Sequence, residues 1–294
     1  MIAGQAQIQF FEQALFETLG QELSIHRFEF VSGGCINNTV KLLTNAGQFF
    51  VKWNVQQLTG MFEAEARGLQ CLQNTQTLPT PVVWGYGQKQ DQAYLLLEFI
   101  ETGYPAPDFW ANFGTGLAAL HRHSQASFGL DFDNYIGALP QQNTPHADGL
   151  TFFIEKRLQA QAGRAMYEGQ LPKALYQKFT ALYDKLADIL PPEPPSLLHG
   201  DLWSGNFLVN PQGQALLIDP AVYYGFREAE LAFTRLFGGF ESAFYEAYNE
   251  AFPLEPGFEE RIDIYNLYPL LVHVNLFGSG YLSGIERTLK KFVD

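Results

Sequence analysis

The chain has 294 residues, and 18 basic against 31 acidic residues give it a net charge of −13 at neutral pH. A general nucleic-acid binder usually presents a basic face, so this charge argues against that class of protein. Two cysteines, Cys35 and Cys71, are too few for a secreted disulfide scaffold. The N-terminus lacks the basic and apolar regions of a signal peptide, and no apolar run has the length of a membrane span. We therefore expect a cytoplasmic globular protein with one large domain or two lobes, and with no nucleic-acid or membrane partner.

The first hundred residues read as an N-terminal helix, a set of strands and a second helix. Within residues 7–23, apolar side chains recur at helical spacing as far as Leu19, which predicts a helix with Gly20 as its C-cap. The strand-like runs IHRFEFV, TVKLLT and QFFVKWN follow, and Asn45-Ala46-Gly47 makes a hairpin turn between the last two. The helical run TGMFEAEARGLQCLQ then leads to two further strands, VVWGYGQ and AYLLLEFI. This order predicts an antiparallel N-terminal sheet.

The turn after the first strand is richer in glycine and asparagine than a plain hairpin needs. Gly33 and Gly34 would let backbone N–H groups approach a nucleotide phosphate, although most such turns bind nothing. The Walker A pattern is absent, so the chain is not a P-loop NTPase. Cys35 lies in the same turn, and we expect it to be partly exposed. It is either a redox-sensitive thiol, able to bridge two subunits of a dimer, or an inert small residue of a monomer.

A lysine interrupts the apolar third strand. Alternation places Phe50 and Lys52 on one face of this strand and Phe49, Val51 and Trp53 on the other.

The Lys52 side chain must reach either solvent, as on an edge strand, or an acidic partner. The following helix offers Glu65, with Glu63 as the alternative. In kinases a strand lysine paired with a helix glutamate holds the α- and β-phosphates of ATP. We predict the pair Lys52–Glu65.

The stretch 197–220, LLHGDLWSGNFLVNPQGQALLIDP, carries the strongest pattern. Between Asn206 and Asp219 it reads strand, turn, strand, and such a hairpin returns its far end to its start. These two side chains could then hold one Mg²⁺ through oxygen, and Asp201 could take a proton from an attacking hydroxyl. This is the Asp…Asn…Asp layout of kinase active sites. The alternative is an ordinary hairpin with polar turn residues.

A hinge is predicted where the last N-terminal strand ends, at Glu98, Phe99 and Ile100, before the Gly/Pro segment TGYPAP. Kinase hinges bind the adenine edge through their backbone, although this segment could simply be a strand leaving a sheet. The chain then becomes mostly helical, apart from a long loop over residues 127–150. We predict an α+β, bilobal protein-kinase-like fold. Residues 1–100 form the nucleotide-binding sheet lobe, and 101–294 form a helical lobe with the catalytic loop 199–206 and Asp219.

The residues around Asp219 favour a small-molecule acceptor over a protein acceptor. Pro220 should hold Asp219 in an extended conformation, and the helix containing Glu230 follows too soon for a long activation segment. Trp203 and Tyr223 flank the site and could lie against a sugar or an amine. Their alternative role is as core or rim aromatic residues.

Several segments resemble the fructosamine kinase (ketosamine 3-kinase) family, a member of the aminoglycoside-phosphotransferase-like branch of the protein-kinase-like fold. They are GGCINN, FVKWN, FEAEARGL, FGLDFDNYIG, HGDLWSGN, IDPAVYYGFREAELAFTRLFGGF and VHVNLFGSGY. The resemblance runs from about Phe30 to the C-terminus, and it implies ATP- and Mg²⁺-dependent phosphorylation of the 3-hydroxyl of a fructosamine or ribulosamine. Because such products are unstable, the reaction would reverse glycation.

By the same resemblance, Asp201 matches the catalytic base, and Asn206 and Asp219 match the metal ligands. Lys52 and Glu65 match the phosphate-orienting pair, residues 98–100 the adenine hinge, and Trp203 a tryptophan of the family's loop. His199 is expected to orient that loop. The segment HADGL, residues 146–150, departs from the resemblance, which would place a tryptophan there. If a tryptophan at this position shapes the acceptor site in the family, its absence would alter acceptor preference and leave the chemistry unchanged.

Two alternatives to a ketosamine kinase remain. One is a kinase for another amino alcohol, of the choline or aminoglycoside type. The other is a nucleotide-binding pseudokinase with a regulatory role. The simultaneous presence of a base, two metal ligands and a Lys/Glu pair disfavours the pseudokinase.

Overall fold

The computed structural model describes residues 4–31, 37–55, 58, 60–89 and 91–293. The chain divides into two compact units, Met1–Pro107 with Leu208–Asp219, and Asp108–Phe207 with Pro220–Asp294. The division predicted from sequence instead placed all of 101–294 in one lobe. The segment 208–219 joins the first unit because its backbone is hydrogen-bonded there. Gly103 N–H donates to Val209 O at 2.8 Å, and Leu217 N–H donates to Pro79 O at 2.9 Å.

The first unit is built on an antiparallel sheet of five strands in the order β1-β2-β3-β5-β4. Its elements are α1 (Gln5–Leu19), β1 (Ile25–Phe30), β2 (Asn38–Thr44), β3 (Gly47–Val55), α2 (Met61–Asn74), β4 (Val83–Lys89), β5 (Gln92–Glu98) and the hairpin of β9 (Phe207–Val209) with β10 (Ala215–Leu217). The first residue of β9, Phe207, belongs to the second unit. The predicted N-terminal sheet and the predicted hairpin are both confirmed.

Helix α1 covers one face of this sheet. It ends at Gly20, whose left-handed φ of 69° makes it the predicted C-cap. Val51 and Trp53 pack toward α1, in a core that also contains Phe11 and Leu15.

The other face of the sheet meets α2, and Phe50 packs in that second core with Phe62 and Leu69. The predicted alternation along β3 is therefore confirmed. Because β3 lies inside the sheet, the edge-strand explanation of Lys52 is wrong.

The second unit is mostly helical. Its elements are α3 (Phe109–His121), β6 (Asn134–Ile136), β7 (Leu139–Gln141), α4 (Gly149–Phe152), a π-helical segment (Phe153–Gln159), α5 (Ala160–Tyr167), α6 (Lys173–Tyr183), α7 (Leu186–Ile189), β8 (Ser196–Leu198), β11 (Tyr223–Gly225), α8 (Arg227–Thr234), α9 (Ser242–Ala251), α10 (Phe258–Tyr265), α11 (Leu267–Phe277), a 3-10 turn (Ser279–Tyr281) and α12 (Leu282–Val293). Strand β8 pairs with β11. The α+β class predicted from sequence is confirmed.

The region predicted as one long loop, 127–150, contains the short hairpin β6–β7. Ile136 and Leu139 of this hairpin are buried in the second unit. The surrounding sequence is polar and does not predict this burial. No helix in the described part of the chain is both long enough and apolar enough to cross a bilayer.

Candidate active site

In the first unit, Lys52 lies at the centre of a charged triad. Its Nζ donates a hydrogen bond to Glu65 Oε1 at 2.6 Å and another to Asp219 Oδ1. The lysine is buried at 6% exposure, whereas the Asp219 side chain is 41% exposed. Helix α2 supplies the acid from the turn that faces β3, and Glu63 points to solvent instead. Of the two acids considered from sequence, Glu65 is therefore the one that pairs with Lys52.

The triad keeps the lysine charged. Burial alone would lower the pKa of Lys52, but the nearby carboxylates of Asp219 and Glu65 outweigh that effect, and the pKa is raised above its ordinary value. For Glu65, burial raises the pKa of the carboxyl group and the Lys52 ammonium opposes the rise. The site thus retains a buried cation at every physiological pH.

Asp219 does not have the extended backbone that Pro220 led us to expect. Its φ is +56°, in the left-handed region, and Asp219 is one of two residues other than glycine with positive φ in the described chain. This conformation accompanies the bond between the Asp219 carboxylate and the Lys52 ammonium. Aspartate tolerates left-handed φ better than most residues, so the ion pair can override the local preference.

In the second unit, the loop after β8 holds Asp201 and Asn206 together. Asn206 is buried, and its Nδ2 donates to both Asp201 O and Asp201 Oδ2 at 2.8 Å each. These bonds fix the Asp201 carboxylate and leave Asn206 Oδ1, a hard oxygen, as the amide atom suited to a cation. Amide and carboxylate oxygens are ligands that Mg²⁺ takes in company with phosphates, and Asp219 of the first unit is the other ligand predicted from sequence. Asn206 immediately precedes β9, and Asp219 is the second residue after β10. That these two residues hold one ion remains a prediction.

A buried carboxylate, Glu230 of α8, anchors the same loop. Glu230 Oε1 accepts from Gly200 N–H at 2.6 Å, and Oε2 accepts from His199 N–H at 3.1 Å. His121 Nε2 donates to Oε2 at 2.9 Å, and in the neutral ring His121 Nδ1 accepts from the Tyr248 hydroxyl at 2.8 Å. Burial would raise the pKa of Glu230, but the hydrogen bond from His121, the nearby imidazoles of His121 and His199 and the backbone bond from Gly200 outweigh it, and the pKa is lowered. Glu230 is therefore a permanent anion beneath the loop that carries Asp201.

Sequence reasoning missed the roles of Glu230 and His121, although His121 carries a usable signal. It falls on the buried and otherwise apolar face of α3, where a polar side chain requires a partner. His199, expected to orient the loop, is fully buried and accepts from Asp201 N–H at 3.3 Å.

A cleft opens beside Asp201 within the second unit. Its lining includes side chains of β11, α8, α10 and α11, and among them are Tyr223, Phe233, Tyr265, Tyr268 and His273. Burial lowers the pKa of His273, whose Nδ1–H donates to Pro269 O at 2.7 Å, and its Nε2 is therefore a hydrogen-bond acceptor at neutral pH. The lining of this cleft therefore combines aromatic side chains with the carboxylates of Asp201 and Glu230.

The two aromatic residues predicted to bind substrate differ in setting. Trp203 is 38% exposed, and its indole lies against Gly205. Tyr223 is buried, and its ring centroid lies 3.9 Å from the guanidinium of Arg157, a fully buried residue of the π-helical segment. Tyr223 therefore forms the floor of the cleft rather than its rim.

The remaining predicted positions are placed as follows. Glu98 closes β5, its side chain accepts from Val82 N–H at 3.1 Å, and Phe99 and Ile100 follow directly. Gly33, Gly34 and Cys35 lie outside the described residues. The departure at HADGL is a helix cap, because Asp148 Oδ1 accepts from the Thr151 hydroxyl at 2.6 Å and from Thr151 N–H at 2.7 Å. These two bonds lower the pKa of Asp148.

Comparison with known proteins gives consistent results. A model of the family described as fructosamine kinase matches residues 7–294. A "Probable ketoamine kinase" of Synechocystis is 42% identical over 283 residues, covering 95% of this chain and 94% of that protein. A chloroplastic protein-ribulosamine 3-kinase of Arabidopsis thaliana is 39% identical over 283 residues, covering 94% of this chain and 85% of that one. The crystal structure of a "Putative fructosamine-3-kinase" of Haemophilus somnus superposes with a TM-score of 0.87 at 31% identity, covering 97% of each chain.

Proposed function

Because this chain belongs to the fructosamine kinase family, we propose that it transfers the γ-phosphoryl group of ATP to the 3-hydroxyl of a ketosamine, such as a fructosamine or a ribulosamine. The observation that carries the proposal is the fixed carboxylate of Asp201. It is bonded to Asn206, and its loop is tied by backbone hydrogen bonds to the buried anion Glu230. Such a carboxylate can act as a general base without moving.

The nucleotide would be held by the charged triad and by the two oxygen ligands. Lys52, oriented by Glu65, would bind the α- and β-phosphates. Asn206 and Asp219 would hold Mg²⁺, which neutralises phosphate charge during transfer when it is bound. The hinge 98–100 would take the adenine edge.

The acceptor would enter the cleft beside Asp201. There Asp201 accepts the proton of the sugar hydroxyl as its oxygen attacks the γ-phosphorus, and the leaving ADP departs on the opposite side. Trp203 and the cleft aromatics offer faces to a sugar or a cationic amine, and the charge of −13 favours a cationic acceptor over a neutral one. Orientation decides which hydroxyl reacts, because a displacement of about 1 Å can cost roughly 10²-fold in rate.

A substrate panel tests the proposal. With MgATP we expect kcat/KM for fructosyl-lysine or ribulosyl-lysine to exceed that for fructose, choline and an aminoglycoside by at least about tenfold. In the control variant Asp201→Asn, kcat should fall by about 10²–10⁴ while ATP binding persists.

Faster turnover of choline or the aminoglycoside would refute the acceptor assignment and leave the kinase assignment standing. Binding of ATP without transfer to any of these acceptors would instead support the pseudokinase alternative.

A further inference from the structure

A second lysine, Lys41, shares the sheet face that carries Lys52. In the β2–β3 register, Lys41 lies opposite Phe50 and Thr39 lies opposite Lys52. Directly paired residues of antiparallel strands point to the same side, so all four side chains lie on one face. It is the face opposite α1, since the intervening residue Val51 packs in the α1 core.

Lys41 is held by an aromatic ring rather than by an acid. Its ammonium lies 4.1 Å from the centroid of the Phe99 ring, within the range of a cation–π interaction. Glu29, directly opposite on β1, is paired with Arg27 at 2.8 Å. No ion pair joins Lys41 to a carboxylate in residues 4–31, 37–55, 58, 60–89 and 91–293. Its charge therefore remains available to a ligand on this face.

The two lysines occupy neighbouring positions on this face and contact different residues. Their rows are two residues apart along the strands, a spacing of roughly 7 Å. From there Lys52 reaches Glu65 and Asp219, whereas Lys41 reaches Phe99, the residue after β5. If Lys52 marks the phosphate end of a bound nucleotide, Lys41 marks the nucleoside end. A nucleoside offers no negative charge, but it offers ring nitrogens and ribose oxygens that accept hydrogen bonds.

We propose that Lys41 is a nucleoside-binding residue. With its ammonium held over the Phe99 ring, Lys41 donates a hydrogen bond to a ring nitrogen or ribose oxygen of the nucleotide. It thereby contributes to affinity for the nucleoside and not for the phosphates. This inference rests on the proposed function only in that a nucleotide occupies this face of the sheet.

Lys41→Met tests the proposal, because methionine keeps an unbranched apolar stem and removes the charge. Competition against a fluorescent ATP analogue gives dissociation constants for ATP, adenosine and tripolyphosphate. We expect about tenfold weaker binding of ATP and adenosine and unchanged binding of tripolyphosphate, since a hydrogen bond from a charged donor is lost. Lys41→Arg should restore adenosine binding, since it keeps a cation over the ring. Its retained nucleotide binding also shows that position 41 tolerates substitution.

Lys89→Met is the matched control, because Lys89 is paired with Glu17 of α1 and its loss changes net charge equally. All three affinities should stay at the wild-type values in this variant. Weakened tripolyphosphate binding with unchanged adenosine binding in Lys41→Met would overturn the proposal, as would three unchanged affinities. A wild-type protein that fails to bind ATP would overturn the proposed function itself, a result distinct from either.

Discussion

Replacing Glu230 by glutamine tests whether the buried anion beneath the catalytic loop positions Asp201. The substitution keeps the shape of the side chain but removes its charge and turns one acceptor oxygen into an NH₂ donor. Glu230 accepts from Gly200 N–H, His199 N–H and His121 Nε2. In the variant, at least one of these donors would face another donor.

The magnitude follows from those three bonds. A hydrogen bond to a charged group contributes about 1.5–3 kcal/mol, and one between neutral groups about 0.5–1.5 kcal/mol. The two bonds that survive with a neutral glutamine acceptor should therefore each be weaker by roughly 1 kcal/mol. A buried donor left without an acceptor adds about 1–3 kcal/mol. We expect the free energy of unfolding to fall by about 3–5 kcal/mol. If the loop shifts by about 1 Å, kcat should fall by about 10²-fold while the KM for ATP changes little.

Denaturant unfolding and steady-state kinetics measure the two effects separately, and α8 offers a matched control. Glu228 is equally buried, but it accepts from Arg261 at 2.6 and 2.7 Å instead of from the loop. The free energy of unfolding of Glu228→Gln should therefore fall about as much as that of Glu230→Gln. Its kcat should equal the wild-type value under conditions where the variant is folded. Equal kcat values in the two variants would refute a positioning role for Glu230.

The pH dependence of stability supplies an independent check on Glu230. Its pKa is lower in the folded protein than in the unfolded chain, so its stabilisation is full above the unfolded value and is lost as pH falls through the folded pKa. The stability difference between wild type and Glu230→Gln should accordingly shrink in acid. A difference that stays constant down to the folded pKa would contradict this account.

Further substitutions address the roles of Asp219 and Trp203. Asp219→Asn and Asp219→Ala should both abolish Mg²⁺-dependent turnover. The Asp219→Asn variant should unfold at a higher denaturant concentration than Asp219→Ala, because asparagine tolerates a φ of +56°. A wild-type Mg²⁺ dependence in either variant would exclude Asp219 as a metal ligand. Gly205→Ala would place a Cβ within 2.9 Å of three indole atoms of Trp203, so the KM for the ketosamine should rise with the KM for ATP unchanged. The same change made in a Trp203→Ala background should have no further effect, and an additive loss there would show that Gly205 acts by another route.

The features that sequence reasoning predicted correctly are those set by local patterns. Three of them follow from residues close together in the chain. They are the alternation along β3 that directs Lys52 toward α2, the C-cap at Gly20 and the β9–β10 hairpin. The Lys52–Glu65 bond joins residues 13 positions apart on a strand and the next helix, so period and order were sufficient to predict it.

The support of the catalytic loop could not be predicted in the same way. Glu230 meets His121 across 109 positions and His199 across 31, and no local pattern links these residues. Arg157 likewise lies fully buried with its guanidinium against the Tyr223 ring, whereas composition alone would place an arginine at the surface. Such contacts are decided by packing between distant elements.

Asp219 shows how a correct local rule fails. A proline disfavours the right-handed helical region for the residue before it, which makes an extended backbone the expectation from sequence. A left-handed backbone costs an ordinary residue about 1–3 kcal/mol, and aspartate less than most. The competing interaction is a hydrogen bond from the buried Lys52 ammonium, and a bond to a charged group contributes about 1.5–3 kcal/mol. The two energies are of similar size, so the tertiary bond can reverse the local preference. The residue where this occurs is the proposed metal ligand, in keeping with the tendency of backbone strain to concentrate at functional sites.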